Sequence, residues 1–179
     1  MKYIKEIYDK LSQGAFLCAN STKEDMQSWY TDVLEHQEEY YNYYKPLGLL
    51  LTEGDGYFYF TRKEKKQELA KKIERFQYWI YILDFLKHFD SSLGPGSYVS
   101  KTRIFAKMDS DLTLTEKATK IANSSSGNHD KMVEDILTEM AKMGFVELVS
   151  EMDGRYKVTS AYQYLEDMVN LITINDDGE

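Results

Sequence analysis

The 179-residue sequence predicts a mainly α fold with small β-hairpin wings, an α+β class in which two helix-then-hairpin units are joined by a long helix. Three observations predict it. Residues 47–62, LGLLLTEGDGYFYFTR, set two short apolar runs around a Glu53-Gly54-Asp55-Gly56 turn, the pattern of a tight hairpin. Residues 145–159 repeat that pattern around Asp153-Gly154, and residues 63–89 between them keep a helical period. An isolated hairpin is marginal in water and needs helices to pack on.

Taken in order, Ile4, Ile7, Tyr8 and Leu11 recur at helical spacing and Gly14 closes that helix. Residues 15–19 are a short apolar link able to supply a third strand. Asn20, Ser21 and Thr22 are N-cap candidates for the next helix, with Glu24 and Asp25 suited to its first turn. Met26, Trp29, Val33, Tyr40 and Tyr44 mark one face of a helix expected to run to Lys45, where Pro46 stops it. The hairpin follows, its two glycines and Asp55 expected to supply positive-φ positions. Residues 1–62 thus read as a first domain.

The long helix, residues 63–89, begins basic and turns apolar. Leu69, Ile73, Phe76, Ile80 and Leu83 step by three and four, and Trp79, Ile82, Phe85 and Leu86 widen the stripe until it is apolar nearly all round. Such a helix is expected to be buried between two layers and shared by two domains. Residues 90–97, DSSLGPGS, are the clearest break in the chain. The first plan then recurs over 90–172: a strand at 98–100, helices around Ile104 and Met108 and over 112–123, and a loop at 124–128. A helix with the stripe Met132, Val133, Ile136, Leu137, Met140 and Met143 follows, closed by Gly144. The second hairpin comes next, and Ser160 is expected to cap a last helix carrying Tyr164, Leu165, Met168, Val169 and Ile172. Residues 173–179 read as a disordered acidic tail. Helices followed by one hairpin, twice over, make a tandem winged-helix chain.

Composition narrows the function. The formal net charge is −8, which disfavours a protein whose whole surface grips nucleic acid. In a DNA-reading winged helix the helix before the wing enters the major groove. Here the first such region sets six acids against Lys23 and Lys45, and the second, residues 129–143, sets Asp130, Glu134, Asp135 and Glu139 against Lys131 and Lys142. Phosphate would repel both. Cys18 is the only cysteine, so no internal disulfide forms and a reducing, cytoplasmic setting is expected. No run of apolar residues is long enough to span a membrane. His36, His88 and His129 are scattered without a zinc spacing, and no glycine motif matches a phosphate cradle. The expectation is no catalytic site, no metal and no cofactor.

Two stretches stand out as surfaces. Tyr40, Tyr41, Tyr43 and Tyr44 span more than one helical face, so at least one of them leaves the core side. Exposed tyrosines mark protein interfaces, and core packing takes the others. With Trp29 and the hairpin residues Tyr57 and Tyr59 they are the partner-surface candidates. The acids around them are either a solvated face or a surface for a basic protein. Residues 61–75 carry seven bases against three acids, a net +4. Either this is a solvated helix start with i,i+4 charge pairs, or Arg62, Lys63, Lys65, Lys66, Lys71 and Lys72 make non-specific phosphate contacts.

The run Leu11-Ser12-Gln13-Gly14-Ala15-Phe16-Leu17, the aromatic helix ending Tyr43-Tyr44-Lys45-Pro46-Leu47-Gly48, and Gly54-Asp55-Gly56-Tyr57-Phe58-Tyr59-Phe60 together resemble the MksE/MukE family over residues 10–62. The resemblance implies a non-enzymatic subunit of a bacterial condensin-like complex, in which a separate coiled-coil SMC-type ATPase hydrolyses ATP and a kleisin bridges it. It further implies kleisin binding, a homodimer, and a part in chromosome condensation and segregation at the nucleoid, or in defence against plasmids. A winged-helix transcription regulator would have the same fold, but the acidic groove helices argue against it.

Overall fold

The computed structural model describes residues 1–62, 66–122 and 129–176, and their side chains apart from those of 66–74, 122 and 171–176. The first unit contains α1 (Ile4–Leu11), β1 (Leu17–Cys18), α2 (Glu24–Glu35) and α3 (Gln37–Tyr44) with a 3-10 turn at Lys45–Leu47. Its hairpin is β2 (Leu50–Gly54) and β3 (Tyr57–Thr61). After the long α4 (Lys66–Phe89) come β4 (Tyr98–Ser100), α5 (Lys101–Met108), α6 (Leu112–Ala122), α7 (His129–Met143), β5 (Val146–Ser150), β6 (Arg155–Val158) and α8 (Tyr162–Asp176). Each hairpin gains a third antiparallel strand, and the orders β1-β3-β2 and β4-β6-β5 follow one plan. The chain is a tandem winged-helix protein.

Strand alternation decides where the core sits. Leu17 pairs with Phe58 and Cys18 with Tyr57. Successive strand residues point to opposite faces. Leu17 and Phe58 therefore enter a first core with Ile7, Leu11, Val33, Tyr40 and Tyr44. Phe16, Cys18 and Tyr57 face the other way, into a second core with Trp79, Ile82, Phe85 and Phe145. The small first sheet thus lies between two cores. Burial of each aromatic ring contributes about 1.5–3 kcal/mol, and the rings pack edge to face or tilted. Phe16 stands 5.6 Å from Tyr57, 5.3 Å from Phe145 and 5.2 Å from Tyr164.

The hairpin glycines divide their work differently from the expectation. Gly56 has φ 74° and supplies the left-handed turn residue. Gly54 lies outside the left-handed region and is needed for space, because a Cβ built on it would overlap the Tyr57 ring. Trp79, Ile82, Leu83, Phe85, Leu86 and Phe89 of α4 are buried as expected. Tyr81, Asp84 and His88 remain exposed, so α4 keeps one solvated stripe where the sequence suggested burial all round.

The helix expected to run from the Met26 region to Lys45 is broken at His36. Its backbone, φ −126° and ψ 34°, leaves the helical region. It still ends one helix and starts the next: its N–H donates to the Asp32 carbonyl at 3.2 Å, and its carbonyl accepts from the Tyr40 N–H at 3.0 Å. The break lets the Tyr40 hydroxyl reach the Asp32 carboxylate. That carboxylate also accepts from the Lys2 N–H at 2.7 Å and the Tyr3 N–H at 3.4 Å. Burial raises the Asp32 pKa, but the bond from Tyr40 and those from the backbone outweigh it and hold the group below its ordinary value.

The expected N-caps of α2 serve elsewhere. Lys23 occupies the cap position and its side chain makes no capping bond. Ser21 Oγ donates to Glu147 at 2.6 Å, and the Thr22 N–H and Oγ1 donate to the same carboxylate at 2.6 and 2.8 Å. Asn20 accepts from the Ser160 N–H at 2.8 Å and donates to the Val158 carbonyl at 3.1 Å. Its own carbonyl accepts from Lys157 at 2.7 Å. The loop of the first unit is therefore bonded to the outer face of the second sheet. Ser160 is not the cap of α8, which begins two residues later at Tyr162. That helix continues to Asp176, beyond the Ile172 boundary expected from the sequence. Residues 177–179 of the expected tail lie outside the described residues.

Three outcomes are expected. Gly54→Ala must push the Tyr57 ring aside and should lower stability by about 1–3 kcal/mol. Gly94→Ala, with nothing nearer than 4.0 Å to meet, should stay within about 0.5 kcal/mol; urea unfolding separates the two. Glu147→Ala removes an acceptor shared by three donors and should cost about 1.5–3 kcal/mol, with faster hydrogen exchange at the Thr22 amide. Asp32→Asn should be less stable than wild type at neutral pH. Because the folded-state value of Asp32 is depressed, its stabilisation is complete above the ordinary aspartate value of 3.8. The difference should vanish as pH falls through the folded-state value, as measured by urea midpoints across that range.

Candidate functional site

The seven aromatic candidates separate by helix angle and strand face. Tyr40 and Tyr44, four residues apart, point into the first core and are fully buried. Tyr40 donates to Asp32, and the Tyr44 hydroxyl donates to the Ile4 carbonyl at 2.7 Å. Burial, with Asp32 adding to it for Tyr40, pushes both phenols well above their ordinary range. Tyr57 is buried at the junction of the units, its phenol pushed up to about 12 by burial and by Asp167. Tyr59 is half-buried, 5.6 Å from Phe16 and 5.1 Å from Tyr164. Trp29 is half-buried against the first core. Tyr41 is half-buried with the Lys45 ammonium 5.3 Å from its ring.

Tyr43 is the member of the cluster that leaves the core, 49% exposed. So Tyr40, Tyr44 and Tyr57, proposed from the sequence as surface residues, are spent on the chain's own interior. Tyr43 keeps company that the sequence reading missed. Leu47 is 60% exposed and Tyr8 39% exposed. Both Tyr8 and Tyr43 lie against the buried Tyr44 ring, at 6.4 and 5.4 Å. No local signal joined Leu47 to Tyr43, because α3 ends at Tyr44 and a 3-10 turn with Pro46 carries the chain on to Leu47.

Acids surround this region. Between Glu24 and Asp55 the chain carries eight acids and one lysine, Lys45. Glu35, Glu38 and Glu39 are exposed, and among the described residues none of the three has a lysine or arginine partner. In the second unit α7 buries Met132, Val133, Ile136, Leu137 and Met140. It turns Lys131, Glu134, Asp135 and Thr138 outward. Glu134 is bonded to Lys101 at 2.9 Å. The helix before each wing therefore presents acid where a groove reader needs bases.

Of the basic candidates, Arg62 is exposed and donates to the Ser12 carbonyl at 3.2 Å. Lys63 and Lys65 lie outside the described residues. Lys66, Lys71 and Lys72 fall in the first turns of α4, and their side chains lie outside the described residues. Cys18 is buried, and burial pushes its thiol up to about 11 against hydrogen bonds to Thr159 and Ala161. A thiol held in that state is a packing group rather than a nucleophile. Among the described residues no three His, Cys, Asp or Glu side chains converge to hold a metal ion, and no helix is long and apolar enough to cross a membrane. What the arrangement offers is surface: a rigid double wing with an acidic, partly apolar face.

No curated protein matches the chain. The family model described as condensin complex protein MksE matches residues 2–169. That span runs from before α1 into α8 and takes in both winged-helix units, and on that ground the chain belongs to the MksE family of condensin complex proteins.

Proposed function

We propose that the chain is a non-enzymatic accessory subunit that binds the kleisin of a condensin-like complex and, through it, an SMC-type ATPase. It acts as a homodimer at the nucleoid in chromosome condensation and segregation. Membership of the condensin family carries this reading. The acidic outer faces of α3 and α7 support it, because they suit protein partners better than the phosphate of a duplex. DNA enters as a weak, sequence-independent contact of the complex, with Arg62 and the lysines at 63, 65, 66, 71 and 72 as its candidates. The same subunit in an anti-plasmid complex would use the same surfaces. A regulator that reads one DNA sequence would need basic groove helices.

Co-expression with a kleisin of the same host, followed by light-scattering mass on a sizing column, tests the assembly. Alone, the protein is expected as a dimer of about 42 kDa, twice the 21.0 kDa chain. With partners it is expected to co-elute with the kleisin and the ATPase. Reversal of Lys65, Lys66, Lys71 and Lys72 to glutamate should weaken retention of DNA by that complex and leave kleisin binding intact. A monomer that ignores the kleisin yet shifts one duplex sequence over others would remove the proposal and install the regulator.

A further inference from the structure

We infer that the outer face of α3 and its 3-10 extension is the seat of a basic segment of the partner, a segment that sets two or three apolar side chains between lysines or arginines. The inference rests on the kleisin-binding reading above and says where on this chain, and by what chemistry, that binding is made. Tyr43 lies on the last turn of α3 and Leu47 ends the 3-10 turn that follows it, and Glu39 precedes Tyr43 by one helical turn. With 49% and 60% of their surface in water, Tyr43 and Leu47 are large apolar side chains that no described element covers. Tyr8 of α1 extends the patch: its ring and that of Tyr43 both rest on Tyr44, which is fully buried and fixes their positions from beneath. The patch is therefore preformed, and an incoming side chain meets rings already held in place.

Charge selects the occupant. Glu39 borders the patch on α3 with the exposed Glu38 beside it in sequence, and Glu6 lies on the α1 side, near enough to Tyr44 to act on its phenol. Among the described residues none of these carboxylates has a basic partner. The nearest base on α3's own segment, Lys45, is laid over the Tyr41 ring instead. Lys5 on α1 is an exposed cation that tempers this rim, and Arg62 donates to the Ser12 carbonyl just beyond that helix. An apolar centre with an acidic border is complementary to apolar side chains flanked by lysine or arginine. It repels a nucleic-acid backbone and any acidic segment.

The test uses the full chain and the intact kleisin. Tyr43→Ser with Leu47→Ser removes the apolar centre, and Glu38→Lys with Glu39→Lys reverses the border. All four positions are exposed, so circular dichroism and the thermal midpoint should match wild type. Each double variant is expected to weaken kleisin binding by about tenfold or more, as loss of interface anchors does. Wild-type binding should weaken steadily from low to high salt, and the charge-reversed variant should lose that dependence. Leu112→Ser, on α6 at a position 78% exposed, should bind as wild type does. If either double variant keeps wild-type affinity, the seat lies elsewhere and kleisin binding itself stands. If wild type fails to hold the kleisin at all, the inference falls together with the reading on which it rests.

Discussion

Glu147 stands on the second wing with three donors of the first unit closing on its carboxylate, and the arrangement of the two halves follows from that contact. Ser21 and Thr22 supply two hydroxyls and one amide, while Asn20 bridges the strand end at Val158 and Ser160 from the same loop. Hydrogen bonds to a charged group contribute more than neutral ones. Here they sit at the rim of an apolar seam where Phe16, Tyr57 and Tyr59 meet Phe145 and Tyr164. The polar bonds fix register and the rings supply most of the stabilisation. The first unit keeps one core of its own, built from residues 1–62 alone, while the second core draws Phe16, Cys18 and Tyr57 from the first unit.

How far the sequence disclosed this follows from the range of each interaction. Both hairpins were legible because their signal is local: apolar runs, a glycine turn and a period of two. The strand at residues 15–19 was legible for the same reason. The break at His36 was not, because helical spacing runs through it unchanged, and the contact it permits, Asp32 with Tyr40 and the backbone of Lys2 and Tyr3, is not local in sequence. The caps at residues 20–22 were misplaced for a cleaner reason. They were read as acceptors for the first amides of α2, but Ser21 and Thr22 donate to Glu147 and Asn20 bonds residues 157–160, partners more than a hundred residues on.

The candidate surface was legible to the same degree. That one of the clustered tyrosines must face outward follows from 100° per residue; which one it was depended on the turn lost at His36. Tyr43 was singled out by the fold, and Leu47 and Tyr8 joined it only when α1 and α3 came together over Tyr44. Tyr57 looked like an exposed wing residue and instead lies beneath the wing, packed onto the glycine that made the hairpin recognisable. The acidic character of the groove helices needed no structure at all. Charge is read from composition, and burial of the apolar stripes on α3 and α7 leaves those acids outside.

The loop at Asn20, Ser21 and Thr22 also bears on how this protein can be taken apart. Those three residues are good helix initiators in their own right. In the intact chain the second sheet holds them, and α2 begins without their help. Severed from the second half, the first half would expose Phe16 and Tyr57 to water and free the loop to fold back onto α2. The liberated fragment would then show a different helix start and a sticky aromatic face, neither of which belongs to the parent. Dissection by truncation would describe new molecules, whereas point changes at the seam would interrogate the old one.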